Sequence, residues 1–300
     1  MDNVIKIDGI EIYHCSECPY HNCPGGHATY YCAHDLKNPG LDVGDGEKIP
    51  DFCPFVLERL EKVLEQTDTA ISKINPARML KQIEKRQEDD PNPKFAADHG
   101  TKHVERVCSY GGKFLSDLIS HGRNTENSIQ KQQLLLQIAA KMHDIGLADS
   151  PRNHAIHSSE LAKRFLQSPK IDIGAQEAYD IAHAIYNHSD GRETTNLLDA
   201  ALLLGDKLDV AKERIIRTPT PITIELLKVE KVEYVLTGDF KHLNGAELHY
   251  TTSGENFKIG ALAEWPKCVS VPRAIAMDFL KIPFKFIVDD VEIDMRKYGV

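Results

Sequence analysis

The sequence predicts a multi-domain, mainly α chain: a helical bundle in the centre, a small cysteine-rich segment before it and a small α+β domain after it. Three observations carry this expectation. Five of the seven cysteines fall between residues 15 and 53. From residue 95 to 215 apolar residues recur at helical spacing, with no convincing two-residue alternation. After the TPTP of residues 218–221 the chain turns to short β-prone runs. A length of 300 residues allows a sizeable core and more than one domain, because domains cluster near ~100–150 residues.

The first segment, residues 1–54, contains HCSECPYHNC, YYC and DFCPF. A Cys-x-x-Cys turn brings two thiolates to one ion, and two distant cysteines complete a tetrahedron. Cys15, Cys18, Cys32 and Cys53 are the expected ligands of a structural zinc, with Cys23, His21, His27 and His34 as competitors. An iron–sulfur cluster also uses thiolates, but the C-x2-C-x4-C spacing fits no cluster run, and disulfides are disfavoured by a cytoplasmic address. A head this small holds little core and gains from such a staple.

Residues 55–94 read as a connecting helix and linker. FVLERLEKVLEQ places Val56, Leu57, Leu60, Val63 and Leu64 on one helical face, in a pattern that runs toward Ile83, and the charged, proline-containing KRQEDDPNPK then marks a boundary. The bundle, residues 95–217, is expected to contain helices over 101–119, 126–145, 154–167, 175–188 and 195–216, separated by HGRNT, LADSPRN and NHSDGRE. Residues 218–300 form the α+β domain, with β-prone ITIELL, VEYVLTG, AELHYTT and FKFIVDD and a helical VPRAIAMDFL.

Composition limits the function. A hydrophobic content of 41% with 27% charged residues is ordinary for a soluble chain, and no apolar run approaches the ~20 residues a bilayer span needs. The N-terminus has no basic segment followed by an apolar stretch, so the expected location is the cytoplasm. A formal charge of −9 argues against broad nucleic-acid or anionic-membrane binding, both of which lean on a lysine and arginine surplus.

Polar residues recur in the bundle where an unpaired polar group is expensive. His103 opens a helix, His143 and Asp144 end the apolar LLLQIAAKM, His154 begins HAIHSSEL and His188 closes AIYNHSDG. Asp206 lies within ALLLGDKLDV, flanked by leucines. A carboxylate buried there would be forced toward protonation, whereas coordination to a metal keeps it ionised. A solvent-facing Asp, or a His favoured by the dipole of a helix end, is the simpler reading of each residue taken alone.

Together these residues resemble the HD-domain metal-dependent phosphohydrolase superfamily, whose signature is a His, an adjacent His-Asp pair and a distant Asp on a helical bundle. The resemblance covers roughly residues 95–215. It implies that His103, His143, Asp144 and Asp206 bind a first divalent ion, and that His154 and His188 bind a second, with Asp144 bridging. His157 and His183 are nearby substitutes. His143 and Asp144 are then the catalytic pair, and His99, one turn before His103, is a second-sphere or substrate contact.

Mixed imidazole and carboxylate suits one or two ions of Fe, Mn, Zn, Ni or Co. Such an ion lowers the pKa of water and produces hydroxide that attacks phosphorus, so no serine or cysteine nucleophile is needed. Two branches of the superfamily fit poorly. Cyclic-dinucleotide phosphodiesterases carry a Lys after HDIG and a later Gly-Tyr-Pro where this chain has Leu147 and HSDGRETT. Alarmone hydrolases carry an acidic pair where this chain has LADSP. The expected reaction is hydrolysis of a phosphoester or phosphoanhydride of a small, nucleotide-type substrate.

Lys207, Arg152 and Arg192 are candidate phosphate contacts, because each stands beside an expected ligand or in a flanking loop. A different class of function is also open: a metal- and nucleotide-binding regulatory or sensor protein without catalysis. The C-terminal domain carries no readable motif. It could cover the site entrance, form a homo-oligomer, or do neither.

Overall fold

The computed structural model of the protein describes residues 53–73, 98–121, 126–148, 153–189, 194–215, 223–239, 242–254, 256–264 and 268–298, together with five short strands before residue 53. Those strands are β1 (Ile5–Ile7), β2 (Ile10–Ile12), β3 (His21–Asn22), β4 (Tyr31–Cys32) and β5 (Leu41–Asp42). β1 pairs antiparallel with β2, and β3, β4 and β5 form an antiparallel three-strand unit in which Cys32 stands opposite His21 on one side and Leu41 on the other.

Helix α1 (Pro54–Lys73) starts where the Cys53 carbonyl accepts from the Val56 and Leu57 amides, and it buries Val56, Leu60 and Val63, the apolar stripe of the sequence. The stretch from there to Ile83 lies outside the described residues. The bundle follows as α2 (Thr101–Ser120), α3 (Glu126–Met142), α4 (His154–Leu166), α5 (Ala175–Asn187) and α6 (Leu197–Leu208). α6 is the central helix. Every residue from Leu198 to Asp206 is buried, and the helix packs on α2, α3 and α5. An element apolar all round is stable only when surrounded in this way.

Two glycines set the α2–α6 approach. A Cβ at Gly111 would lie 2.5 Å from the Ala201 carbonyl oxygen, and one at Gly205 would lie 2.5 Å from that of Val107. The two helices are therefore in backbone contact at both points, which brings the N-terminal turn of α2 over the C-terminal turn of α6.

The last helical pattern is shorter than its sequence suggests. α6 stops at Leu208, Asp209 takes φ −80° and ψ 70°, and a separate 3-10 turn covers Lys212–Arg214. ITIELL is not a strand either: Thr223–Leu226 is a helical turn, α7, that buries Leu226. Its Glu225 carboxylate accepts from Lys228 and from the Lys258 amide. β propensity expresses packing against neighbouring strands, and the first strand of the C-terminal sheet begins only at Val229.

That sheet has the order β6 (Val229–Gly238), β7 (Leu243–Thr252), β8 (Phe284–Val288) and β9 (Val291–Glu292). β6 and β7 form a hairpin, whereas β8 runs parallel to β7. A parallel neighbour needs a crossover. It is supplied by α8 (Gly260–Glu264), α9 (Ser270–Ala274) and the π-helical turn Ile275–Phe279. The sheet lies against α2, with the Phe114 and Tyr234 rings edge to face at 6.2 Å. Apolar side chains of the helices and of the sheet form one contiguous core. Among the described residues no helix is long and apolar enough to cross a membrane.

Candidate metal centre

Helix ends deliver the polar side chains to one place. His103 is the third residue of α2, His143 and Asp144 follow α3 directly, His154 opens α4, His188 caps the C-terminus of α5, and Asp206 lies in the last turn of α6. All except the partly exposed His154 are buried. The turn after Asp144 is held by Gly146, whose amide donates to Ser158 Oγ at 2.8 Å. A Cβ there would lie 2.5 Å from the His154 carbonyl oxygen. The small residue in HDIG thus lets the Asp144 turn sit on the first turn of α4.

The carboxylate of Asp144 stands between two groups of imidazoles. Its Oδ2 lies 3.1 Å from His143 Nε2 and 3.5 Å from His103 Nε2, while Oδ1 lies 3.5 Å from both His154 Nε2 and His188 Nε2. Asp206 Oδ1 joins the first group, 3.4 Å from His103 Nε2. Within each group the imidazole nitrogens converge: His103 and His143 Nε2 are 3.1 Å apart, as are His154 and His188 Nε2. The sets His103, His143, Asp206 and His143, Asp144, His188 each offer ligand atoms within 4.8 Å of one another.

Hydrogen bonds on the far side of the rings aim these nitrogens. His143 Nδ1 donates to the Ala140 carbonyl at 2.7 Å, His188 Nδ1 to Ile185 at 2.6 Å, and His103 Nδ1 to Asp209 Oδ2 at 2.6 Å. Carbonyls only accept, so the Nδ1 atoms of His143 and His188 carry the protons and their Nε2 lone pairs point inward, while Nδ1 of His103 meets both the Asp209 carboxylate and the Arg214 guanidinium. Asp144 Oδ2 is itself buried without a hydrogen-bond donor. Lone pairs from imidazole and carboxylate facing one another at such distances repel unless a cation lies among them, so the residues fit a divalent ion chemically.

Electrostatics agree with that fit. Burial opposes ionisation of Asp144, yet His143, His103 and His188 hold it well below the usual carboxylate range. Asp206 is lowered likewise against burial, chiefly by Lys207 and His103. Burial pushes His188 down to about 4, leaving it neutral and able to ligate. Burial and Arg214 also depress His103, but the nearby carboxylates of Asp144, Asp206 and Asp209 outweigh them and raise it to about 9. Without a metal ion, a proton on this ring offsets the acidic charge.

Of the remaining expected site residues, some stand beside the two groups and others away from them. His183 turns to Asp199, its Nδ1 3.0 Å from Oδ1, and stacks on Tyr179. His157 is half-buried on α4, its Cβ against Gly146. Lys207 Nζ pairs with Asp206 Oδ2 at 2.6 Å, so it stands at the first group. The His99 ring packs edge-on to His103 at 5.8 Å. With Asp144, Lys141, Val104, Ile145 and Ile71 it lines a cavity of about 150 Å³. Arg152 and Arg192 lie outside the described residues, as do Cys15, Cys18 and the side chain of Cys32. Cys53 is buried in the core at the start of α1.

Three residues escaped the sequence reading: Asp209, Arg106 and Arg214. Asp209 Oδ2 accepts from His103 Nδ1 and, at 2.8 Å, from Arg214 Nη1, while Oδ1 accepts from Arg106 Nε at 2.5 Å. Arg214 Nη1 also touches His103 Nδ1, and its Nη2 lies 3.8 Å from Asp206 Oδ1. The available signal was spacing: Asp209 follows Asp206 by three residues and Arg106 follows His103 by three, so each shares a face with an expected ligand.

A bundle whose helix ends bring histidines and aspartates into two groups about one carboxylate is built so that it could hold a metal ion. Residues 101–231 match the family model of the HD domain, a domain typical of metal-dependent hydrolases. The match runs past the bundle into β6. An uncharacterised protein of Methanocaldococcus jannaschii is 26% identical over 128 residues, which is 39% of this chain and 49% of the relative. The alignment thus spans about half of that protein's length.

Proposed function

We propose that the protein hydrolyses a phosphoester or phosphoanhydride bond of a nucleotide-type substrate at a dinuclear centre. The observation that carries this reading is the division of Asp144: Oδ2 faces His103 and His143, and Oδ1 faces His154 and His188. In this reading His103, His143 and Asp206 would hold one ion and His154 and His188 a second, with Asp144 available to both. Divalent ions there make water nucleophilic near neutral pH and offset the charge of phosphoryl oxygens.

The chain's own residues do the rest. Hydrogen bonds from Nδ1 atoms keep three imidazoles oriented, so little reorganisation is needed when substrate arrives. Lys207, beside Asp206, supplies a cation for a non-bridging phosphate oxygen, and Arg152 and Arg192 are further candidates in the flanking loops. The cavity next to Asp144 has an apolar wall of Ile71, Val104 and Ile145 and a polar edge at His99, which suits an organic group attached to the phosphate.

The test is metal analysis of purified protein and hydrolysis across a panel of nucleotides and simple phosphoesters. Asp144→Ala is expected to lose bound metal and to lower turnover roughly a thousandfold or more, since charge stabilisation by metal is worth several kcal/mol and each ~1.4 kcal/mol is tenfold. An Asp144→Ala protein with full metal content and activity sinks the proposal.

A further inference from the structure

Asp209 ends α6 and is buried to within 2% of full enclosure, yet it is no member of either imidazole group. A carboxylate in such a place is costly unless its oxygens are all engaged. Here Oδ1 accepts from Arg106 Nε, and Oδ2 accepts from both His103 Nδ1 and Arg214 Nη1. Arg106 is fixed in turn by Asp98, Nη2 to Oδ2 at 3.3 Å. Two guanidinium groups therefore prevent the carboxylate from rotating, and what it presents to His103 is an acceptor in a set position.

Nδ1 of His103 thus meets the Asp209 acceptor and also touches Arg214 Nη1, whose own hydrogen bond goes to the same carboxylate oxygen, so the carboxylate is the group placed to decide which nitrogen of His103 carries the proton. His143 and His188 have the same decision made by backbone carbonyls of their own helices, three residues earlier. His103 lies in the first turn of α2, and its ring is held from a different helix altogether. The Asp206–Asp209 spacing makes this possible. Residues three apart share a helix face, so Asp206 meets Nε2 of His103 while Asp209 meets Nδ1.

We infer that Asp209 is the positioning residue for His103: clamped by Arg106 and Arg214, its carboxylate holds the imidazole in the Nδ1–H tautomer with Nε2 aimed at Asp144 and Asp206. The inference rests on reading the imidazole groups as a metal centre. It goes beyond that reading by assigning a role to residues that ligate nothing. The substitution Asp209→Asn separates the carboxylate's charge from its shape. An amide has one donor end. Turned toward His103 it opposes the Arg214 donor and selects the wrong tautomer, and turned outward it opposes Arg106.

Two measurements test this on the full-length protein. The first is the tautomer of His103 in the metal-stripped wild type at a pH where the ring is neutral, read from long-range ¹H–¹⁵N correlations and assigned by the signal lost in His103→Gln. An Nδ1–H ring is expected, and an Nε2–H ring overturns the inference whatever the metal result. The second is Mn²⁺ affinity by equilibrium dialysis for wild type, Asp209→Asn, Asp209→Glu and Asp144→Ala. Loss of such a partner commonly weakens metal binding by about 10–100-fold, and that loss is expected for Asp209→Asn with partial rescue by Asp209→Glu. Wild-type affinity in Asp209→Asn overturns the inference and leaves the metal reading standing. Equal binding by wild type and Asp144→Ala overturns the metal reading, and the inference with it. The tautomer measurement needs no variant of Asp209, so a misfolded Asp209→Asn does not leave the question open.

Discussion

Asp144 faces four imidazole nitrogens with two oxygens, and the division between those oxygens separates two kinds of substitution. His188→Gln removes a nitrogen from the Oδ1 group, whereas Asp206→Asn alters the Oδ2 group. Each variant is expected to bind about one Mn²⁺ per chain where the wild type binds about two, as measured by elemental analysis after gel filtration. Loss of both ions from either variant would mean that the groups are not separable. Burial governs Cys268 in another way. Its thiol donates to the Leu262 carbonyl at 3.0 Å and is pushed up to about 12. Between the unfolded value near 9 and the folded value the unfolded chain has released a proton that the folded chain keeps, so this group costs stability as pH rises above about 9. At pH 8.5 iodoacetamide is expected to leave Cys268 unmodified until denaturant is added. Equal labelling rates with and without denaturant would contradict the burial.

At the scale of elements, the bundle's helices were legible because each has a broken apolar pattern with polar ends, and the patterns over 101–119, 154–167 and 175–188 end within a residue of the helices formed. The end of α6 was not legible. The leucines run on toward Val210, and the chain leaves the helix at Asp209, whose carboxylate is engaged by His103, Arg106 and Arg214. ITIELL failed in another way, since Thr223–Leu226 form a helical turn that buries Leu226. Close helix approach depends on Gly205 and Gly111. Gly205→Ala must push Val107 and the first turns of α2 away from α6, at a cost of about 1–3 kcal/mol for overpacking. It is expected to lower the denaturation midpoint and to weaken metal binding at the Asp206 group more than at the His154–His188 group. A variant with normal stability and affinity would show that the helices need not be in contact.

Over the whole molecule, the site stands on a core that continues from the bundle into the sheet, and on a buried ion cluster that ties α1, α3 and α5 together. Glu177 of α5 takes Arg59 of α1 at 2.7 Å and Lys131 of α3 at 3.3 Å, and it also accepts from the Gly174 amide at 2.9 Å. Removing one partner of a buried pair leaves an uncompensated charge, so Glu177→Gln is expected to cost about 3–5 kcal/mol of stability. Urea titration checks this, and metal content at low temperature should be unchanged because the cluster touches no ligand. The sequence by itself determined the helical class of the centre, most of the helix starts and the residue types offered to an ion, because apolar periodicity and the cost of an unpaired polar group are local properties. Tertiary structure alone decided that His183 turns to Asp199 while His188 turns inward, and that Asp209 holds His103. Those outcomes depend on how closely α2 meets α6 and how the turn at Gly146 sits on α4, and such distances are fixed by packing between elements far apart in the chain.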